Sequence, residues 1–174
     1  MSSEVIAYAV DRKKIKEIYA CKNKDFISGF MSEFCDEIEE LAEDFDVKPS
    51  DFESRLDLIV NAKPYGEDDN VWIYNSLYEM FCQKYGELIE HEEFMCYLED
   101  AIDDTPRTAF LQIPADKDFE GADYYSIAYE DLEKLREIFL TKPSYANEDY
   151  YMDEVNNIFD FAKENKKDLV FFAY

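Results

Sequence analysis

The chain has 174 residues and a formal net charge of −24, from 42 acidic and 18 basic side chains. This excess disfavours direct binding to nucleic acid or to an anionic membrane surface, because both depend on Lys and Arg side chains that meet phosphates. It favours a basic protein partner, which an acidic surface attracts and orients. The 14 Tyr and 14 Phe supply enough apolar surface for a core, so disorder is also disfavoured.

The first third of the chain predicts one strand followed by helices. Residues 4–10 predict a strand, after which Asp11 can cap a Lys-rich helix. Apolar residues recur at three- and four-residue steps from Asp25 to Phe45 and predict one long helix with an acidic opposite face. Ser50, with Glu53 three residues later, predicts the start of the next helix as a capping box.

The middle of the chain mixes apolar segments with acidic ones. Residues 71–85 predict the most apolar helix, which Gly86 can terminate. A short helix is predicted over residues 91–102 and a strand over residues 108–113. Residues 116–123 predict an acidic loop.

The last third begins with a strand–helix unit. Residues 124–129 predict a strand that runs into an amphipathic helix, and a further helix is predicted over residues 147–166. Residues 169–174 are continuously apolar, which is typical of a central strand covered on both faces. The chain start repeats this strand–helix plan, since both copies contain Ile-Ala-Tyr followed by a charged helix.

These elements predict an α+β fold. We expect a helix-rich single domain over residues 1–174, with a small three- or four-stranded sheet that includes the N- and C-terminal strands. The two strand–helix units are expected to share that sheet with the final strand.

Three segments carry a resemblance to a known family. They are the strand Ala7-Tyr8-Ala9-Val10-Asp11 before a Lys-rich helix, the strand Ser126-Ile127-Ala128-Tyr129 before a helix, and the closing Leu169-Val170-Phe171-Phe172-Ala173-Tyr174. This layout resembles uncharacterised bacterial proteins related to the YfbM-like family. That resemblance implies no catalytic residues.

Catalytic and metal-binding motifs are incomplete. His91-Glu92 opens like a zinc-protease helix, but Met95 stands where the second His ligand belongs. The segment from Asp116 to Gly121 matches the first half of a calcium loop, and Ile127 occupies the position of its bidentate Glu. We therefore predict no catalytic residue, no metal ligand and no cofactor.

Two acidic segments also carry aromatic residues, a combination that suits binding to a basic protein surface. Tyrosines supply buried anchors, and carboxylates steer and pair with Lys and Arg. In the alternative interpretation, Tyr150 and Tyr151 simply begin the last helix and one of them points inward. The predicted partner-binding residues are Glu37, Glu40, Asp44, Glu148, Asp149, Tyr150, Tyr151, Asp153 and Glu154.

The sequence thus predicts an acidic protein-binding module, of the immunity or antitoxin kind or a nucleic-acid mimic, that occludes a basic partner such as a toxin or a nucleic-acid-binding protein. The alternative is an enzyme whose site is built from carboxylates and tyrosines, with or without a divalent metal held by Asp and Glu oxygens. The widely spaced cysteines and the lack of a secretory signal pattern predict a cytoplasmic location with reduced, mostly buried thiols. Two disulfides in an exported protein are the alternative there.

Overall fold

The computed structural model describes residues 3–64, 70–91, 95–96, 124–144 and 146–173. The chain divides into two compact units, each assembled from separate segments. The sheet unit comprises residues 1–12, 82–110 and 123–174, and the helical unit comprises residues 13–81 and 111–122. The prediction that residues 1–174 form a single domain stays a prediction.

The α+β prediction is confirmed, because helices dominate and one small antiparallel sheet includes the first and last strands. The described helices are α1 (Arg12–Lys16), α2 (Lys24–Glu33), α3 (Cys35–Asp44), α4 (Pro49–Val60), α5 (Trp72–Tyr85), α6 (Leu132–Thr141) and α7 (Asp149–Glu164). The described strands are β1 (Ser3–Val10), β2 (Gly86–Leu88), β3 (Met95–Cys96), β4 (Tyr124–Ile127) and β5 (Asp168–Ala173).

The sheet has the order β2-β1-β5-β4, and β3 pairs with the beginning of β1. Strand β5 lies between β1 and β4 and is antiparallel to both. The prediction that the two strand–helix units share one sheet with the last strand is therefore confirmed. Val10 pairs with Asp168 and Ile127 pairs with Leu169, so the ends of β1 and β4 meet the start of β5.

The core of the sheet unit lies between one sheet face and helices α6 and α7. Phe139, Phe159 and Phe171 bring one ring from α6, one from α7 and one from β5 into mutual contact. Arg136 of α6 forms an ion pair with Asp160 of α7, and its guanidinium lies 5.8 Å from the centre of the Phe159 ring. These contacts hold the two helices side by side against the sheet.

Gly86 is required for a close approach between backbones. A Cβ atom at this position would lie 2.6 Å from the carbonyl oxygen of Cys82 and 2.9 Å from that of Ala9. The residue follows the last turn of α5, as predicted, and at once begins β2, which the sequence analysis did not identify. Only glycine lets the chain leave the helix and pair with β1 within one residue.

The helical unit packs α2, α3 and α4 around aromatic side chains. Phe30 lies 4.7 Å from Phe34 and 5.1 Å from Phe81 between ring centres. Phe52, Leu56 and Ile59 of α4 are completely buried at three- and four-residue steps. The apolar period that predicted these helices is therefore the period of the face they bury.

The prediction of one helix from Asp25 to Phe45 is wrong, because the helix breaks at Phe34. Phe34 has φ −104° and ψ 22°, outside helical values. Helical hydrogen bonds nevertheless continue on both sides: the Phe34 N–H donates to Phe30, and the Ile38 N–H donates to Phe34. Because the apolar stripe and the hydrogen-bond ladder both persist, the sequence period does not reveal the bend.

The predicted capping box at Ser50 and Glu53 is also wrong. Helix α4 begins two residues earlier than that capping box implies, with Pro49 as its first residue and Lys48 as the capping residue. The Lys48 N–H donates to Asp51 Oδ2 at 2.9 Å. Proline suits the first helical position because its φ is already helical and it has no N–H to satisfy, so the helix starts at Pro49 and the cap moves two residues back from Ser50 to Lys48.

The helix predicted over residues 91–102 is wrong for Met95 and Cys96, which pair with β1 as β3. Pairing with an existing strand satisfies their backbone groups, and a short amphipathic period does not outweigh it. The rest of this segment after His91, the strand predicted over residues 108–113 and the loop predicted over residues 116–123 lie outside the described residues.

Three helices end in the same turn, and none of them uses glycine. After α3, α4 and α7 the residues Asp46, Ala62 and Lys166 adopt left-handed backbone angles, with φ of 52°, 50° and 53°. At each end the following N–H donates back to a carbonyl of the last turn, as Lys63 does to Leu58 at 3.0 Å. These are Schellman motifs. Glycine is the usual residue at their left-handed position, because without a Cβ it adopts those backbone angles at no steric cost.

We therefore expect Ala62→Gly to stabilise the protein. Removing the Cβ relieves a left-handed residue that costs roughly 1–2 kcal/mol, partly offset by the greater freedom of glycine in the unfolded chain. Urea unfolding followed by the fluorescence of Trp72 measures the difference. The control Glu137→Gly, at an exposed position in the middle of α6, should instead destabilise by about 1 kcal/mol. Equal destabilisation by both variants would contradict this account.

Candidate functional site

Helix α3 concentrates the negative charge of the helical unit. Its ten residues contain six acids and no base. The buried residues Ile38 and Ala42 turn one side of the helix to the core, which leaves the acids on the other side. Of the predicted partner residues, Glu40 and Asp44 are exposed and Glu37 is half-buried. The structure thus places this part of the predicted surface on one helix, facing solvent.

The charges of α3 oppose one another and the helix itself. Glu40 and Asp44 are four residues apart, a spacing at which like charges destabilise a helix by roughly 0.2–0.5 kcal/mol. Glu43 and Asp44 also lie in the last turn, where the helix dipole favours cations. In the described part of the chain no basic side chain forms an ion pair with Glu40, Glu43 or Asp44. The last two turns of this helix therefore carry three negative charges that no described cation compensates.

An exposed aromatic ring stands at the end of α3. The side chain of Phe45 is 54% exposed, although the apolar period places it on the buried face of the predicted helix. Its ring stacks on that of Trp72, with 4.3 Å between centres and 30° between planes. Phe45 shares the apolar period of the predicted helix and is nevertheless exposed, because it is the residue at which α3 ends and the chain turns away. No feature of the apolar period distinguishes it from the core positions.

The second predicted surface lies at the start of α7, in the sheet unit. Glu148, Asp149 and Asp153 are exposed, and Glu154 is half-buried. Tyr150 is 46% exposed, whereas Tyr151 is 3% exposed and belongs to the core of the sheet unit. An exposed-anchor role is therefore wrong for Tyr151. Helical geometry explains the difference, because consecutive residues point about 100° apart.

A buried carboxylate lies where three strand ends meet. Asp168 Oδ1 accepts a hydrogen bond of 2.7 Å from the Tyr129 N–H, and Asp168 Oδ2 lies 3.7 Å from Arg12 Nε. Arg12 also pairs with Glu130 at 3.3 Å. Asp168 therefore links the residues that follow β1 to those that follow β4. The sequence analysis did not single out this residue, because its partners are distant along the chain.

The surroundings of Asp168 shift its titration. Burial raises the pKa of this carboxyl above its ordinary value, against the opposing effects of the Tyr129 N–H and the Arg12 guanidinium. Desolvation disfavours the charged form, and it outweighs the hydrogen bonds and the nearby cation here. The cluster therefore links distant parts of the sheet unit, and within it the charged form of Asp168 is disfavoured by burial.

The cysteines do not all follow the prediction of buried thiols. Cys82 is buried, but Cys21 and Cys35 are exposed, and all three are free thiols. The nearby Glu39 carboxylate raises the pKa of the Cys35 thiol, which lowers its thiolate fraction and its reactivity.

The described residues contain no group of three His, Cys, Asp or Glu side chains that could hold a metal ion. An open groove of about 480 Å³ lies beside α4 and includes Glu53 and Asp57 in its lining. Asp57 is already engaged by Lys63 and by Asn61 Nδ2 at 2.7 Å. The alternative of a metal-dependent carboxylate enzyme stays a prediction, and the loop over residues 116–123 lies outside the described part.

The fold and the two acidic surfaces define an α+β protein with strongly negative helix faces. A family model described as "Domain of unknown function (DUF7691)" matches residues 1–174, and the chain belongs to this family. No curated protein and no solved structure matches the chain. The resemblance to the YfbM-like family receives no support from these comparisons and stays a prediction. No helix in the described residues is long and apolar enough to cross a membrane.

We expect the stability difference between wild type and Asp168→Asn to depend on pH. Because the folded-state pKa is raised, this carboxyl's contribution is fully present below the unfolded value of about 3.9 and is lost as pH rises through the folded value. Asparagine stays neutral and can still accept from the Tyr129 N–H. Wild type should therefore lose stability relative to Asp168→Asn as pH rises through this window.

Urea unfolding of both proteins at several pH values, followed by Trp72 fluorescence, checks this expectation. Asp153→Asn, which removes an exposed carboxylate, is the matched control. Asp168→Ala also removes the acceptor and should cost about 1–3 kcal/mol, since the Tyr129 N–H loses its partner. A difference that is flat or of opposite slope for Asp168→Asn would show that burial does not dominate at this site.

Proposed function

We propose that the protein is an acidic binding module that occludes a basic protein partner through the exposed face of α3. The observation that carries this proposal is the charge of that helix, six acids and no base in ten residues, of which Glu40, Glu43 and Asp44 have no cationic partner among the described residues. Such a helix is less stable by itself than one with mixed charges, and a cationic partner relieves both its internal repulsion and its unfavourable dipole.

The charge density of α3 supports a nucleic-acid-like surface. Ten helical residues span about 15 Å, so the six carboxylates amount to one charge per about 2.5 Å of axis, against about 1.7 Å for duplex DNA. A basic surface evolved for phosphates would meet a comparable field here. We therefore propose a partner that is a toxin or a nucleic-acid-binding protein, and a role of the immunity or antitoxin kind in the cytoplasm.

The start of α7 offers a second acidic surface with one exposed ring. Glu148, Asp149 and Asp153 lie near Tyr150 there, and they fit the same class of partner. Carboxylates with an exposed tyrosine combine steering and a low-entropy anchor. We rank this surface second, because its acids are fewer and it belongs to the other unit.

Neutralising α3 should weaken capture of the partner more than an equal change of charge elsewhere. The test variant is Glu40→Gln, Glu43→Gln and Asp44→Asn; the control is Glu17→Gln, Glu137→Gln and Glu164→Gln, at exposed positions outside both surfaces. Both variants change the net charge by three, from −24 to −21. Cross-linked capture from cells of the source organism should recover a stoichiometric basic protein with wild type and with the control.

Association and dissociation rates measured with that partner then distinguish long-range electrostatic steering from direct contact. The α3 variant should associate more slowly at low salt, and its deficit should shrink at high salt because exposed charges are screened. Equal rates for the α3 variant and the control would mean that α3 does not bind the partner. Failure of wild type to capture any stoichiometric basic protein would overturn the proposal as a whole.

A further inference from the structure

The exposed Phe45 ring is held rigidly on the core. It stacks on Trp72, and the Trp72 ring meets Phe52 edge-on, with 5.8 Å between centres and 74° between planes. Phe52 is completely buried. The exposed ring is therefore the outer member of a series of three contacting rings, whose inner member belongs to the core of the helical unit.

The backbone around Phe45 is equally constrained. Phe45 caps α3, and Asp46 follows with φ of 52°. The Val47 N–H donates to the Ala42 carbonyl at 3.0 Å, which closes the Schellman motif. An anchor of this kind loses little conformational entropy on binding, because both its backbone and its stacked ring are ordered beforehand.

Carboxylates stand directly beside this ring in the chain. Glu43, Asp44 and Asp46 are all exposed and lie within two residues of Phe45. A large apolar side chain more than half exposed is costly to leave in water, and here its immediate neighbours are all negative. An aromatic face with a negative rim is complementary to a cation that also has a flat apolar surface.

Resting on the proposed function, we infer that the Phe45–Trp72 pair is the anchor of the α3 surface and that it receives an arginine side chain of the partner protein. The guanidinium is planar and weakly hydrated, so it can stack on the ring while its N–H groups bind the flanking carboxylates. Lysine, a compact and strongly hydrated cation, gains less from the ring. A second copy of this chain is disfavoured as the occupant, since each copy carries a charge of −24.

Two labelled peptides of equal length and charge test the inference without the natural partner. One alternates Arg with Gly, and the other alternates Lys with Gly. Fluorescence anisotropy gives their affinities for the full chain, and the emission of Trp72, the single tryptophan, reports binding at the ring pair. The arginine peptide should bind about 2- to 30-fold more tightly, the range of a cation–π contact, and should change the Trp72 emission.

The variants separate the ring from the charge. Phe45→Leu keeps an apolar side chain but removes the π face, so it should abolish the preference for arginine; Phe45→Tyr should retain it. Leu88→Ala, which trims a comparably exposed apolar side chain of β2, should leave the preference unchanged. The triple neutralisation of α3 described above should weaken both peptides, and the arginine peptide at least as much, because it removes two of the three carboxylates beside the ring. Thermal melts establish that each variant is folded.

The outcomes distinguish this inference from the proposed function. Equal binding of both peptides, weakened by the α3 neutralisation but not by Phe45→Leu, would overturn the arginine anchor and leave the acidic surface standing. Affinities that are unchanged by the α3 neutralisation, with the arginine preference still abolished by Phe45→Leu, would support the ring as the anchor and overturn both its carboxylate contacts and the charge-based function. Absence of binding by either peptide at low salt would overturn both.

Discussion

The sheet unit depends on the burial of one apolar strand. Strand β5 lies between β1 and β4, and its residues Leu169 to Phe172 are buried in succession, with side chains on both faces of the sheet. Burying four such side chains contributes roughly 1.5–3 kcal/mol each relative to exposure, before chain entropy is counted. The strands of both strand–helix units, β1 and β4, pair with β5. Helices α6 and α7 pack against one face of the sheet that these strands form.

A chain with this much negative charge keeps its acids where water can solvate them. Among the described residues, Asp168 is the one buried acid. The Tyr129 N–H donates to it and the Arg12 guanidinium lies beside it, and these two contacts offset part of the cost of burying its charge. Elsewhere the few cations are used for alignment: Arg136 and Lys163 pair with Asp160 and Glu133 between α6 and α7. Glu40, Glu43 and Asp44 of α3 receive no such cation from the described residues, and this makes the end of α3 the natural place for an external one.

The sequence predicted most elements because most of them follow local rules. Apolar periods located α4, α5, α6 and α7, and the continuous apolar run located β5 as a central strand. The acidic face of α3 was predictable in the same way, since helical spacing alone separates acids from the buried side. The sequence analysis missed the bend at Phe34, because helical hydrogen bonds and the apolar period both continue across it. It also missed strand β2, because β2 is defined by its pairing with β1, which is distant in the chain.

The sequence by itself determined the fold class, the charge of the surface and the central place of β5, since all three depend on composition and on the period of apolar residues. Only the tertiary structure decided which of the apolar residues stay exposed. Phe45 and Tyr151 illustrate this in opposite directions: one leaves the core where α3 ends on a Schellman motif, and the other enters the core because α7 turns it inward. Such outcomes depend on where a helix stops and what it packs against, and both are set by residues distant in the chain.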